Sequence, residues 1–126
     1  MYTERYVTHL LETLGISRCY NGHSMAVEAV LVVLQDEETL RNIRRQVYAR
    51  VAVRRQSSWC CVERDMRTVI RRAWQINAAL LRRMAPYPLD EAPTVKEFIE
   101  IVALYTLRHA PAEVIEEIGR AQLCPV

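Results

Sequence analysis

The sequence predicts an all-α fold, a compact bundle of about six helices containing a helix-turn-helix. Three observations predict it. Apolar residues recur at i, i+3, i+4 and i+7 through most of the chain, no segment alternates apolar and polar residues as a strand does, and glycine and proline number only 3 and 5. A chain of 126 residues that is 51% hydrophobic suits one domain with one core, burying about two-thirds of the surface its unfolded form exposes. Residues 110–126 read as an extra C-terminal helical tail on that domain.

Thr3 is the expected cap of a first helix whose inner stripe is Val7, Leu10, Leu11 and Leu14, with Gly15 as its stop. The pair Asn21-Gly22 reads as a turn and Ser24 as the cap of a second helix, MAVEAVLVVLQ. That helix is apolar nearly all round, apart from Glu28, and belongs in the middle of the core. Asp36, Glu37 and Glu38 open a helical stretch from Leu40 to about Arg54, with Ile43, Val47 and Val51 as its inner line.

After Gln56, Ser57 or Ser58 caps a long helix running to about Ala79. Its inner face is Val62, Met66, Val69, Ile70 and Ala73, which leaves Arg64, Arg67 and Arg71 on an outward face. The proline-rich APYPLDEAP is a loop. Thr94 with Glu97 three residues later forms a capping box for a helix that buries Val95, Phe98, Ile99 and Val102. Pro111 interrupts it, and AEVIEEIGRAQL makes a last amphipathic helix closing at Gly119 or just beyond.

Several function classes are disfavoured. No stretch reaches the roughly 18 uncharged apolar residues of a membrane span, and MYTERYVTHLLETLG lacks a long apolar run, so a cytoplasmic, nucleoid-associated location without a membrane partner is expected. Cys19, Cys60, Cys61 and Cys124 lack the paired spacing of a zinc site, and neither a metal nor a cofactor is expected. His9, His23 and His109 lie on separate segments away from any nucleophile motif, and there is no glycine-rich phosphate loop, so no catalytic residue is assigned and an enzyme is not expected. Cys60-Cys61 at a helix N-terminus admits a redox-sensing thiol; the plainer reading is one core cysteine and one inert one.

Net charge is only +2, but it is segregated. Residues 1–39 carry two arginines against six acids, residues 40–84 carry twelve arginines against two acids, and residues 85–126 carry three basic residues against seven acids. A central +10 between two flanks of −4 is the footprint of a surface that meets phosphate, although solvated charged faces are also common on small helical domains. Arginine suits bidentate recognition of phosphate or guanine, and high-GC coding produces the same excess.

The basic third also contains a helix, a short polar turn and a second helix, with the small Ala52 at the crossing and Val62 as the apolar anchor. By itself this pattern is shared by many structural helical hairpins. The arginines near the N-terminal end of the second helix add the chemistry. Arg64 and Arg67 can each present a fork to guanine N7 and O6, and Glu63 can accept from cytosine N4. Ser57, Ser58, Arg54, Arg71 and Arg72 are candidates for phosphate contacts. Glu63 and Arg67, at i and i+4, can equally form a surface ion pair.

At these residues the chain resembles the C-terminal effector domain of the master sporulation response regulator of endospore-forming bacteria. The run VERDMRTVIRRAW is similar to that family's recognition helix, and YARVAVRRQSS to its first helix and turn. LLETLGI, Gly22, the segment around Glu28-Ala29-Val30, and TVKEFIEIVA keep the same register, so that the resemblance covers about residues 5–109. It implies a cytoplasmic transcription factor, activator at some promoters and repressor at others, in which Glu63, Arg64 and Arg67 face the bases.

It further implies double-stranded DNA as partner, bound at tandem TGTCGAA-like sites as a head-to-tail dimer, with RNA polymerase as a further partner. A phosphorylated receiver domain upstream, as in a two-component system, is implied as well. The sequence departs from the family at Arg55, where an aromatic is usual, at Ala49 (proline), at Cys61 (often basic) and at Asp65 (small and neutral). The departures at Arg55, Cys61 and Asp65 motivate the alternative of a paralogue that keeps the fold as a helical protein-interaction module without specific DNA binding.

Overall fold

The computed structural model describes residues 2–123. Cys124 lies outside the described residues, as do the last residues of the expected tail. Six α-helices appear among the described residues: α1 (Tyr2–Thr13), α2 (Asn21–Gln35), α3 (Ala49–Arg55), α4 (Trp59–Met84), α5 (Val95–His109) and α6 (Ala112–Leu123). Between α2 and α3 the chain makes a 3-10 segment (Glu37–Asn42) and a π-helical segment (Arg44–Tyr48). The all-α bundle expected from periodicity is the fold observed.

Helix α2 occupies the centre and packs on α1, α4, α5 and α6, which is why it is apolar all round. Nine of its 15 residues are buried, among them Ala26, Ala29 and Val30. The expected inner stripes of α1, α4 and α5 are all buried with it, and Phe98 and Ile99 are fully enclosed. Glu28, the interruption in α2, is only partly buried and meets the Arg55 guanidinium at 3.0 Å. The one charge on the core helix therefore ties it to the end of α3.

Helix α1 closes as expected at Gly15, whose φ is +96°. The Gly15 N–H donates to the Glu12 carbonyl (2.9 Å) and the Ile16 N–H to the Leu11 carbonyl (3.0 Å), while Ile16 is completely buried. This is a Schellman closure with its usual apolar contact. The same pair of bonds ends α3, from the Gln56 N–H to Val53 and from the Ser57 N–H to Ala52. There, however, the left-handed residue is Gln56, at φ 53° and ψ 46°. A side chain in this region is strained relative to glycine. Gln56→Gly is expected to stabilise the domain by about 0.5–1 kcal/mol, the relief of strain exceeding the added chain entropy. A rise of a few degrees in melting temperature checks it.

Two expected caps are corrected. Thr3 lies inside α1 and is buried; the N–H groups of Tyr2 and Thr3 donate to the Glu117 carboxylate of α6, at 3.2 and 3.0 Å. A distant acid thus takes the place of a local cap. Ser24 does not cap α2 either. Asn21 and Gly22 already belong to the helix, Tyr20 is the N-cap residue, and the Ser24 hydroxyl donates to the Asn21 carbonyl. The turn sits earlier, where the Tyr20 N–H donates to Ser17.

The stretch expected as one helix from Leu40 to Arg54 is divided into the 3-10, π and α segments named above. Val47 and Val51 are buried and Ile43 half-buried, and a line repeating every four residues drifts around a 3.6-residue helix. The wider π turn reduces that drift. Helix α4 runs past the expected end at Ala79 to Met84, with a break at Asn77 (φ −145°, ψ 53°). The Asn77 amide donates to the Thr13 carbonyl (3.3 Å), and its side-chain oxygen accepts from the Leu80 N–H (3.4 Å).

The capping box at Thr94 and Glu97 is present as expected. Helix α6 continues through Gly119 to Leu123 and rests on α1 and α2, burying Val114 and Ile118. Besides Glu117 at the start of α1, it supplies Gln122, whose amide donates to the Leu34 carbonyl near the end of α2 (2.9 Å). The tail thereby satisfies polar backbone groups at two helix ends. No helix among the described residues is long and apolar enough to cross a membrane.

Candidate nucleic-acid interface

The paired helices α3 and α4 pack on each other, and Ala52 and Val62, one from each, are both buried. Between them Gln56 reverses the chain, Ser57 follows, and Ser58 caps α4 by accepting from the Cys61 N–H at 3.2 Å. Val62, Met66, Val69, Ile70 and Ala73 are buried along one side of α4. At about 100° per residue, the opposite side gathers Arg64, Arg67 and Arg71 within an arc of about 60°. All three are exposed, as are Ser57 and Ser58. The N-terminal half of α4 thus presents a basic edge with its capping turn uncovered.

Carboxylates flank that edge. Glu63 and Arg67 form an ion pair and hydrogen bond one turn apart. The Arg64 Nε lies 3.5 Å from an Asp65 carboxylate oxygen, and the Arg64 side chain is 69% exposed. Tyr48 is buried; burial, and then the nearby Glu63 charge, push its hydroxyl up to about 12. The Ser58 and Ser57 hydroxyls hold the Cys61 thiol below its ordinary range by hydrogen bonding.

The remaining predicted cations, Arg72 and Arg54, lie off that edge. Arg72 lies over the Tyr20 ring, 5.4 Å from its centroid, and Arg54 lines a cleft that Arg18 and His23 also line. Arg55, one of the departures, is drawn inward by Glu28.

Two features escaped the sequence reading. Arg44 stacks over Trp59, the first residue of α4, at 4.7 Å. Lys96, in the first turn of α5, shares with Tyr48, Glu63, Arg67 and Arg71 a cleft of about 360 Å³. Lys96 is the only lysine in the sequence and stands beside the predicted capping box. Those were its available signals, but only the fold shows that the loop 85–93 brings α5 alongside α4.

A basic helix-turn-helix carried on an all-α body is the architecture of a DNA-binding effector domain of a transcription regulator. Over residues 7–106 the chain matches the family described as Sporulation initiation factor Spo0A C terminal, and it belongs to that family. The match runs from within α1 to within α5 and leaves α6 outside. The family is one of DNA-binding response-regulator effector domains in sporulation, not of enzymes.

Proposed function

We propose that the domain recognises specific double-stranded DNA by inserting α4 into the major groove. The supporting observation is the exposed Arg64, Arg67 and Arg71 edge on a helix fixed from behind by Val62 and Met66. Arg64 and Arg67 contact guanines and Glu63 a cytosine. Ser57, Ser58, Arg54, Arg71 and Arg72 take phosphates, which set register without reading sequence. On this reading, inserting α4 exchanges the Glu63–Arg67 pair for contacts to bases.

The target is a tandem TGTCGAA-like site bound by a head-to-tail dimer. A phosphorylated receiver domain governs dimerisation, and RNA polymerase is the further partner through which transcription is raised or lowered. A titration against a duplex bearing that site, with a scrambled duplex alongside, at two salt concentrations, tests the proposal. Preference for the site at both salts supports it. Equal weak affinity for both duplexes removes specific recognition, and no binding at low salt removes DNA.

The second reading, a helical protein-interaction module, draws on the two carboxylates that already occupy Arg64 and Arg67. Asp65→Ala separates the two. If α4 reads DNA, removing a negative charge beside Arg64 raises affinity about two- to fivefold, the scale of an exposed ion pair. That gain shrinks as salt is raised. An interaction module without a DNA site shows no such gain.

A further inference from the structure

We infer that the cleft of about 360 Å³ between α4 and α5 seats one backbone phosphate of the duplex, held by Arg71 of α4 and by Lys96 and Thr94 of α5. This rests on the reading that α4 enters the major groove, and it adds α5 as a second element that grips the DNA. Glu63, Arg67 and Arg71 follow one another at four-residue spacing and form the row of α4 that lines the cleft, whereas Arg64 does not line it. A strand lying against that row runs between the two helices.

The cleft holds three cations against one carboxylate, and that carboxylate, Glu63, is already paired with Arg67. Arg71 and Lys96 are exposed and make neither an ion pair nor a hydrogen bond among the described residues. The neighbouring acids are engaged elsewhere. Glu97 accepts from the Thr94 N–H at 2.9 Å and Glu100 from the Tyr87 hydroxyl at 3.1 Å, while Asp90 and Glu91 of the preceding loop do not line the cleft. Two unpaired cations, one from each helix, are thus brought to one opening with no anion between them.

Lys96 also stands against the electrostatics of its own helix. It is the second residue of α5, where the helix has its positive end and acidic side chains are favoured. A lysine there without a carboxylate partner is a local cost, and a phosphate brought alongside reverses it. Its compact charge on a flexible stem suits a phosphate, whereas planar, bidentate recognition favours arginine. The Thr94 hydroxyl oxygen accepts from the Glu97 N–H at 3.2 Å, which leaves its hydrogen available to donate. A contact of this kind sets the register of α4 in the groove without reading sequence.

The test compares the parent domain with Lys96→Ala, Lys96→Arg and Arg108→Ala on a TGTCGAA-like duplex and a scrambled one across a series of salt concentrations. Arg108 is exposed in the last turn of the same helix, about 18 Å along its axis from Lys96, so its removal takes away a charge and spares the cleft. Lys96→Ala is expected to weaken binding to both duplexes by the same factor, about three- to tenfold at low salt, and to lower the salt slope by about one. Lys96→Arg restores most of the affinity, Arg108→Ala stays within about twofold of the parent, and all three variants melt with the parent. On duplexes carrying a single methylphosphonate linkage at each position in turn, one position weakens the parent and makes Lys96→Ala cost nothing further. Parent-like affinity and salt slope in Lys96→Ala overturn the α5 contact and leave the groove reading standing. A loss confined to the TGTCGAA-like duplex, a loss matched by Arg108→Ala, or the absence of any such masking position does the same. A parent domain that prefers neither duplex instead overturns the groove reading, and the contact with it.

Discussion

Arg64→Ala is expected to weaken binding to a TGTCGAA-like duplex by about 1–3 kcal/mol, a loss of roughly 5- to 150-fold, and to relax discrimination at one base position. Arg64 stands opposite the buried face of α4, with its side chain 69% exposed and Asp65, at 3.5 Å, as its ion-pair partner among the described residues. An exposed pair of that length contributes little to the fold, so the variant melts close to the parent. A duplex panel substituted at each position in turn checks it. If affinity falls by the same factor on every duplex and the salt slope drops by about one, Arg64 is a phosphate contact instead. Retained affinity and preference together remove α4 as the reading element.

Gly22→Ala is expected to destabilise the domain by about 3 kcal/mol, lowering the melting temperature by roughly 10 °C. A β-carbon at position 22 would lie 2.4 Å from the Asp65 carbonyl oxygen and 2.8 Å from Val69 Cγ1. The nearer atom is backbone and cannot rotate away. Either the first turn of α2 or the N-terminal half of α4 must shift, and both are embedded in one core. Because Asp65 sits between Glu63 and Arg67, the same substitution is expected to weaken DNA binding measured below the melting transition. Thermal and denaturant unfolding give the stability change; a loss under about 1 kcal/mol means that the two helices separate easily.

Much of this fold was legible in the sequence because the helices obey one period. Val62, Met66, Val69, Ile70 and Ala73 lie on one face of α4 wherever that helix sits, and the opposite face then holds the arginines. The capping box at Thr94 was legible for the same reason, since both of its partners lie within four residues. What failed was local reasoning about groups satisfied from afar. Thr3 looked like a cap because nothing nearby shows that Glu117, more than a hundred residues on, already accepts the first N–H groups of α1. Ser24 resembles a cap because Asn21-Gly22 has the composition of a turn, whereas the chain turns at Ser17–Tyr20 and both residues open the helix.

The break at Asn77 depends on the Thr13 carbonyl, 64 residues away, and has no local sign. At the candidate interface the Glu63–Arg67 pair followed from spacing. Lys96 reaches α4 only through the route of the proline-rich loop, and Arg54, recognisable as a cation, gave no indication of which way it faced. The departure at Arg55 acquires a physical account only from Glu28, on a different helix.

The two bonds from the first turn of α1 to Glu117 also fasten the first helix to the last. Tension on a segment joined before α1 or after α6 would load the α1–α6 seam first. The central helix would feel it through its own packing on α1 and α6, and α4 through the Asn77–Thr13 bond. Mechanically, the domain is fastened where α1 meets α6, and the arginine edge of α4 is not part of that fastening.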